Sequence, residues 1–280
     1  MDLELNGKTA LITGGSRGIG KAVARELGWE GVDVAIASRG MEALEETAKE
    51  LAAETGRRFI PISVDTSNEE SIKAMVKIAA DELGRIDILV NSAARVGGGG
   101  SAPKLAEITE EYFFEDMNTK VLGYIRCAQA VAPYMQQQGW GRIINLSGLA
   151  ARQSGNAVGS IRNVSVAALT KNMADELGPL GINVTVVHPG LTRTERTEGV
   201  IAEAAHRQGI TEAEAEERMA QGVSTRRIID AREIAHVIAF LASPKSIAIN
   251  GDAIAVAGGS GRAIHYCPHQ SSLGFWWWGI

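Results

Sequence analysis

Residues 13–20 read T-G-G-S-R-G-I-G and put four glycines, Gly14, Gly15, Gly18 and Gly20, into one short turn. Glycine lets the backbone take left-handed angles and lets a ligand come close to the main chain. The run before the turn, 8–12, reads as a buried strand. The run after it, 18–29, reads as a helix, with Ile19, Val23 and Leu27 at four-residue spacing on one face. A helix that opens there presents free N–H groups and the positive end of its dipole to an anion, so Gly14, Ser16, Arg17, Gly18, Ile19 and Gly20 are expected to cradle a phosphate. A tight turn with no ligand is the alternative for a lone glycine pattern; the strand before and the helix after favour a nucleotide.

The second expected strand, 32–38, ends on Ser38-Arg39. In a dinucleotide fold the end of this strand meets the adenosine ribose, and an acidic residue there binds the free 2′-hydroxyl of NAD. Here Ser38 and Arg39 stand at that end and Arg17 sits inside the glycine turn. Two guanidinium groups suit a 2′-phosphate through charge and paired donors, which favours NADP(H) over NAD. Solvated arginines are the plainer alternative. Strand 59–64 ends at Asp65, a candidate contact to the adenine. Strand 86–90 is followed by Asn91-Ser92-Ala93-Ala94, whose small residues either let the backbone lie beside a cofactor or simply end a strand. Strand 142–146 ends in Ser147, and strand 183–187 runs into His188-Pro189-Gly190. Asn118 lies between apolar neighbours within an expected long helix, 109–138.

Helices at 41–55, 69–83, 161–177 and 231–241 and a last strand at 253–256 complete a strand–helix alternation. That pattern indicates an α/β fold with a doubly wound parallel sheet in a single domain, 1–259, followed by a tail, 260–280. Its ligand site lies at the carboxyl ends of the strands, where Gly14, Arg39, Asp65, Asn91, Ser147 and Pro189 all fall. With 280 residues, 45% of them hydrophobic and 22% charged, the chain can bury a sizeable core. A net charge of −5 gives no basic surface for nucleic acid. No apolar run is long enough for a membrane span and no signal peptide is evident, so a cytoplasmic setting is expected. The two cysteines, Cys127 and Cys267, have no metal-ligand spacing, and no metal is expected. The four glycines at 97–100 read as a flexible loop, and the polar stretch 192–221 as a cover over a substrate pocket.

Taken together, these motifs resemble the short-chain dehydrogenase/reductase family over nearly the whole domain. The turn at 13–20 is similar to its cofactor motif, Asp65 to its adenine contact, 91–94 to its N-N-A-G segment, Asn118 to its helix Asn and Ser147 to its catalytic Ser. Pro189 and Gly190, with Thr192 or Thr194, are similar to the segment that holds the nicotinamide carboxamide; Asn91 and Ala93 would line the cofactor. The resemblance implies a Rossmann-type seven-stranded sheet, hydride transfer to or from a carbonyl or alcohol carbon of a small-molecule substrate, and a homotetramer or dimer.

One part of the pattern departs. The family's Tyr-x-x-x-Lys supplies the substrate proton and the charge that makes the Tyr a usable acid. A-A-L-T-K at 167–171 sets a register in which Arg162 takes the Tyr position and Val166 the Lys position. Shifting to Ser160 with Val164, Ile161 with Ser165, or Asn163 with Ala167 does not restore the pair, and no Tyr lies between Tyr134 and Tyr266. Arg162 does not release its proton; it is expected either to hold an oxyanion or anionic substrate or to pair with a carboxylate. The proton would come from solvent, from His188 beside the nicotinamide segment, or from the tail, which holds His265, Tyr266, Cys267 and His269 and ends in an aromatic run at 275–278. The expected function is an NADP(H)-dependent oxidoreductase with Ser147, Asn118, Arg162 and His188 at its site. A silent dinucleotide-binding subunit, or a hydrolase, lyase or isomerase on the same fold, are the alternatives.

Overall fold

The protein is described here by a computed structural model covering residues 1–94 and 102–260. Strand and helix alternate strictly at first: β1 (Thr9–Thr13), α1 (Gly18–Trp29), β2 (Asp33–Ser38), α2 (Met41–Thr55), β3 (Phe59–Ser63), α3 (Glu69–Leu83) and β4 (Ile88–Asn91). Then come α4 (Glu110–Met117), α5 (Gly123–Gln138), β5 (Gly141–Leu146), α6 (Ala157–Leu177) and β6 (Ile182–Pro189). The two-residue strands β7 (Thr192–Arg193) and β8 (Ile229–Asp230) flank α7 (Thr197–Gln208) and α8 (Glu212–Gln221), and α9 (Ala231–Ala242) leads to β9 (Ala253–Val256).

The main sheet has seven parallel strands in the order β3-β2-β1-β4-β5-β6-β9. Successive side chains of a strand point to opposite faces, and both faces are covered. Ala10, Ile12, Val34, Ile36, Ile88 and Val90 pack with α1, α2 and α9. Their neighbours Leu11, Ala35, Ala37 and Leu89 pack with α3, α5 and α6 on the other side. Strand order reverses between β1 and β4, which opens a crevice at their carboxyl ends. The expected doubly wound architecture is the observed one.

Two differences from the expected elements matter for the site. The long helix 109–138 is broken by a π turn, Asn118–Leu122, between α4 and α5. The turn is held from outside its own helix: Thr66 Oγ1 donates to the Thr119 carbonyl at 3.1 Å, and a Cβ on Gly123 would lie 3.0 Å from the Thr66 carbonyl. Tertiary contacts thus hold a break that local propensity does not specify. Helix α6 starts at Ala157, before the expected 161, because the Asn156 side chain caps it by accepting the Gly159 N–H at 2.8 Å. The stretch 192–221 forms β7, α7 and α8. The glycines at 97–100 and the tail residues His265, Tyr266, Cys267 and His269 lie outside the described residues. Among the described residues no group of side chains could hold a metal ion, and no helix is long and apolar enough to cross a membrane.

Candidate active site

The glycine turn fills the crevice at the strand-order reversal. Gly14 takes φ +73° and donates to the Ala37 carbonyl at 2.7 Å; a Cβ on it would press the Ser92 and Ala93 backbone at 3.0 Å. At Gly20 a Cβ would sit 2.2 Å from the Gly14 carbonyl, so only glycine fits. The Gly18 N–H, at the start of α1, already takes an anion: the Glu195 carboxylate accepts from it at 3.0 and 3.3 Å. That contact shows the α1 terminus binding negative charge with this chain's own atoms.

From this turn a cleft of about 1100 Å³ runs across the sheet edge. Ser38, Arg39 and Asp65 line one end with Ser16, Arg17, Gly18 and Ile19 beside them; Ala93, Asn118, Pro189 and Thr194 line it further on, and it reaches Lys120, Tyr124 and Ser147. Arg17 and Arg39 are exposed, and neither is in an ion pair among the described residues. Ser67 donates its hydroxyl at 2.7 Å and its N–H at 2.9 Å to Asp65, and these bonds, with Arg39 adding its charge, hold the Asp65 carboxyl below the usual range. A polar rim with two uncommitted guanidinium groups and a glycine cradle fits a phosphorylated dinucleotide. Three residues expected at the cofactor are not among those that line this cleft. Asn91 is fully buried and donates to Asn145 at 2.9 Å, beneath the crevice floor. Gly190 faces a second cavity, and Thr192 turns its hydroxyl back to the Gly190 carbonyl at 2.9 Å.

The second cavity, about 470 Å³, meets the cleft at Ser147 and Pro189, which line both. Its walls include Leu149, Leu191, Met219 and Val223, with Gln153 and Arg162 as polar members. Ser147 is 8% exposed, and its hydroxyl donates to the Asn163 carbonyl at 2.9 Å. On the cleft side of Ser147 lies a lysine that none of the sequence motifs marks. Lys120, in the π turn, is 3% exposed, and its Nζ donates to the Ser147 carbonyl at 3.0 Å and to Asn163 Oδ1 at 3.2 Å. Burial first, then the Arg162 charge, lowers its pKa to about 7, against the opposing pull of Asp116. The signal for it in the sequence was slight: a lysine among the apolar residues of a helix expected to be continuous.

Of the remaining expected residues, Arg162 and Asn118 line the cavities and Val166 and His188 do not. Val166 is fully buried in an apolar cluster with Val121, Tyr124 and Val186 and does not reach the site. The residue of α6 beside Ser147 is Asn163, three positions earlier, and the residue four before that is Gly159. The register set by 167–171 was therefore offset by nearly one helical turn, which leaves the apolar periodicity almost unchanged. Arg162 grips Asp116 with Nη1, at 2.8 and 2.9 Å from the two carboxylate oxygens, so of its two expected uses the ion pair is the observed one. Asn118 lines the cleft, but its amide is engaged: Arg126 donates to its Oδ1 at 2.8 Å, and its Nδ2 reaches the Ser67 carbonyl at 3.4 Å. His188 is 1% exposed, lines neither cavity, and is pushed down to about 4 by burial, with Arg152 and Lys120 adding to it. A neutral, enclosed imidazole is not a proton donor near pH 7, so that expectation is withdrawn. Lys171 pairs with Asp175 on the exposed side of α6.

A glycine turn and an anion-binding helix terminus at the switch point of a doubly wound sheet define a Rossmann-type dinucleotide-binding protein. Comparison with known proteins narrows the class. Residues 14–260 match the family described as enoyl-(acyl carrier protein) reductase. The chain is 34% identical over 259 residues to the 3-oxoacyl-(acyl-carrier-protein) reductase FabG of Vibrio cholerae serotype O1, covering 92% of this chain and 98% of that one. It is 31% identical over 260 residues to 7alpha-hydroxysteroid dehydrogenase of Escherichia coli K12, covering 92% and 96%. The crystal structure of L-sorbose reductase from Gluconobacter frateurii, complexed with NADPH and L-sorbose, superposes with a TM-score of 0.88 at 26% identity over 94% of this chain and 100% of that one. The chain belongs to the short-chain dehydrogenase/reductase family.

Proposed function

We propose that the protein is an NADP(H)-dependent oxidoreductase that interconverts a carbonyl and an alcohol on a small molecule, with an active site that lacks the family's Tyr-x-x-x-Lys pair. The observation that carries this reading is the position of Ser147 and Pro189, where the dinucleotide cleft and the second cavity meet. A group held in the second cavity would face whatever the cleft holds across the Ser147 hydroxyl. NADP(H) is supported by Arg17 and Arg39 at the ribose end and by similar reductases solved with NADPH. Gly18 and its neighbours would hold the pyrophosphate, Arg17 and Arg39 the 2′-phosphate, and Pro189 and Thr194 the nicotinamide end. When bound, the cofactor supplies or takes a hydride. Ser147 would orient the substrate oxygen. The mixed walls of the second cavity, with Arg162 neutralised by Asp116, suit an uncharged substrate with an apolar body. A homodimer or homotetramer in the cytoplasm remains the expected setting.

NADPH fluorescence titration, followed by NADPH oxidation with a panel of ketones, tests the reading: binding with turnover lost in Ser147→Ala supports it, and no NADPH binding rejects it. Since Tyr134 and Tyr266 bracket a stretch without tyrosine, a silent dinucleotide-binding subunit is the second reading. It predicts binding without turnover of any carbonyl or alcohol.

A further inference from the structure

We propose that Lys120 delivers the proton to the substrate oxygen, the task the family gives to its tyrosine. This rests on the oxidoreductase reading above. The π turn carries Lys120 inward until its Nζ touches the two elements that frame the reactive end, the Ser147 carbonyl after β5 and Asn163 Oδ1 on α6. Both partners are neutral acceptors. An ammonium has three protons; two are placed, and the third has no acceptor among the described residues. Lys120 lines the cleft at the same end as Ser147, and a ligand seated there is the acceptor we assign to the third proton.

No other group around it takes this role. Tyr124 on α5 has its ring 6.0 Å from Nζ, but its hydroxyl donates to the Leu146 carbonyl and burial raises its pKa. Arg162 on α6 and Asp116 on α4 neutralise each other. His188 on β6 is neutral at working pH. Lys120 makes no ion pair with a carboxylate among the described residues, so its charge is not fixed by a partner, and an amine poised near neutral pH can serve as acid in one direction and base in the other. In reduction, the carbonyl carbon accepts the hydride pair from NADPH and the C=O π pair moves to oxygen. The N–H bond of Lys120 breaks as the O–H bond forms, leaving an alcohol, NADP⁺ and a neutral amine that regains a proton from solvent along the cleft. Asn163 and the Ser147 carbonyl keep Nζ in place throughout.

Two measurements on the full chain test this. In protein labelled with [ε-13C]lysine, the Lys120 signal, assigned by its loss in Lys120→Met, is expected to titrate near 7. Its midpoint should fall when NADP⁺ brings a cationic nicotinamide beside it, and should not move with adenosine 2′,5′-bisphosphate, which lacks that ring. An unchanged midpoint with NADP⁺ overturns the proposal, whether or not any ketone is turned over. With ethyl acetoacetate or 9,10-phenanthrenequinone as the carbonyl probe, Lys120→Met and Lys120→Arg should bind NADPH as the parent does. Both should lose roughly 10²–10⁴ in kcat, the range for a positioned acid. The fall of parent kcat as pH rises through about 7 should vanish with them. Retained kcat in both variants overturns the proposal. If Ser147→Ala still abolishes that turnover, the oxidoreductase reading survives without it.

Discussion

The carboxylate of Glu195 accepts the backbone N–H of Gly18 at 3.0 Å, so the chain places its own anion on the helix terminus where a dinucleotide phosphate is expected. The two negative groups compete for one donor. Charge at a helix N-terminus is worth about 0.3–1 kcal/mol at exposed sites. Glu195→Gln is therefore expected to tighten NADPH binding by about two- to five-fold in a fluorescence titration, with the gain shrinking at high salt. Weaker binding would show instead that Glu195 organises the loop.

Arg39 stands free at the end of β2, and a hydrogen bond to a charged group contributes about 1.5–3 kcal/mol. Arg39→Ala should raise the Kd for NADPH by roughly ten-fold or more and leave that for NADH nearly unchanged. Equal losses for both cofactors would remove the 2′-phosphate from its role.

The Arg162–Asp116 pair is enclosed between α4 and α6, with side-chain exposures of 19% and 6%. Removing one partner strands the other charge. Asp116→Ala is expected to cost about 3 kcal/mol in urea unfolding, the low end for breaking a buried pair. Replacing both residues with apolar side chains should recover most of that loss. A pair bound to the substrate rather than to itself would show a change in KM with little change in stability.

Two buried bases contribute to the pH dependence of stability between about pH 4 and 9. Lys120 is held at about 7 in the fold, below its ordinary 10.5, so between those values the unfolded chain binds the extra proton and stability rises with pH. His188, lowered from 6.5 to about 4, gives the same sign across that more acidic window. Denaturation midpoints should therefore climb from pH 4 to 6.5 and again from 7 to about 9, above which the buried Cys127 thiol, pushed up from 9 to about 12, acts in the opposite sense. Lys120→Met should flatten the upper climb alone, and His188→Gln the lower one alone.

Much of the fold is legible in the chain because its signals are local. The glycines at 14–20 are demanded by close backbone approaches, and apolar strands covered on both faces announce a parallel sheet. Arg39 and Asp65 could be placed for the same reason: a residue at the carboxyl end of a strand in this topology must face the crevice. The reactive end was not legible. Val166 and Asn163 differ by three positions on one helix, and their periodicity is almost the same, so spacing could not say which faces Ser147. The π turn that carries Lys120 inward is fixed by Thr66, fifty-odd residues away in sequence, and no local signal in 118–122 specifies it.

Residue type and strand–helix order alone carry the doubly wound domain, its glycine-rich turn and the arginines at 17 and 39. The packing of distant elements is what binds Arg162 to Asp116, encloses His188 in its neutral form and brings Lys120 to Ser147 and Asn163. Each of these depends on contacts between elements far apart in the chain, and burial among them, rather than side-chain type, sets which groups are charged and which can reach a ligand.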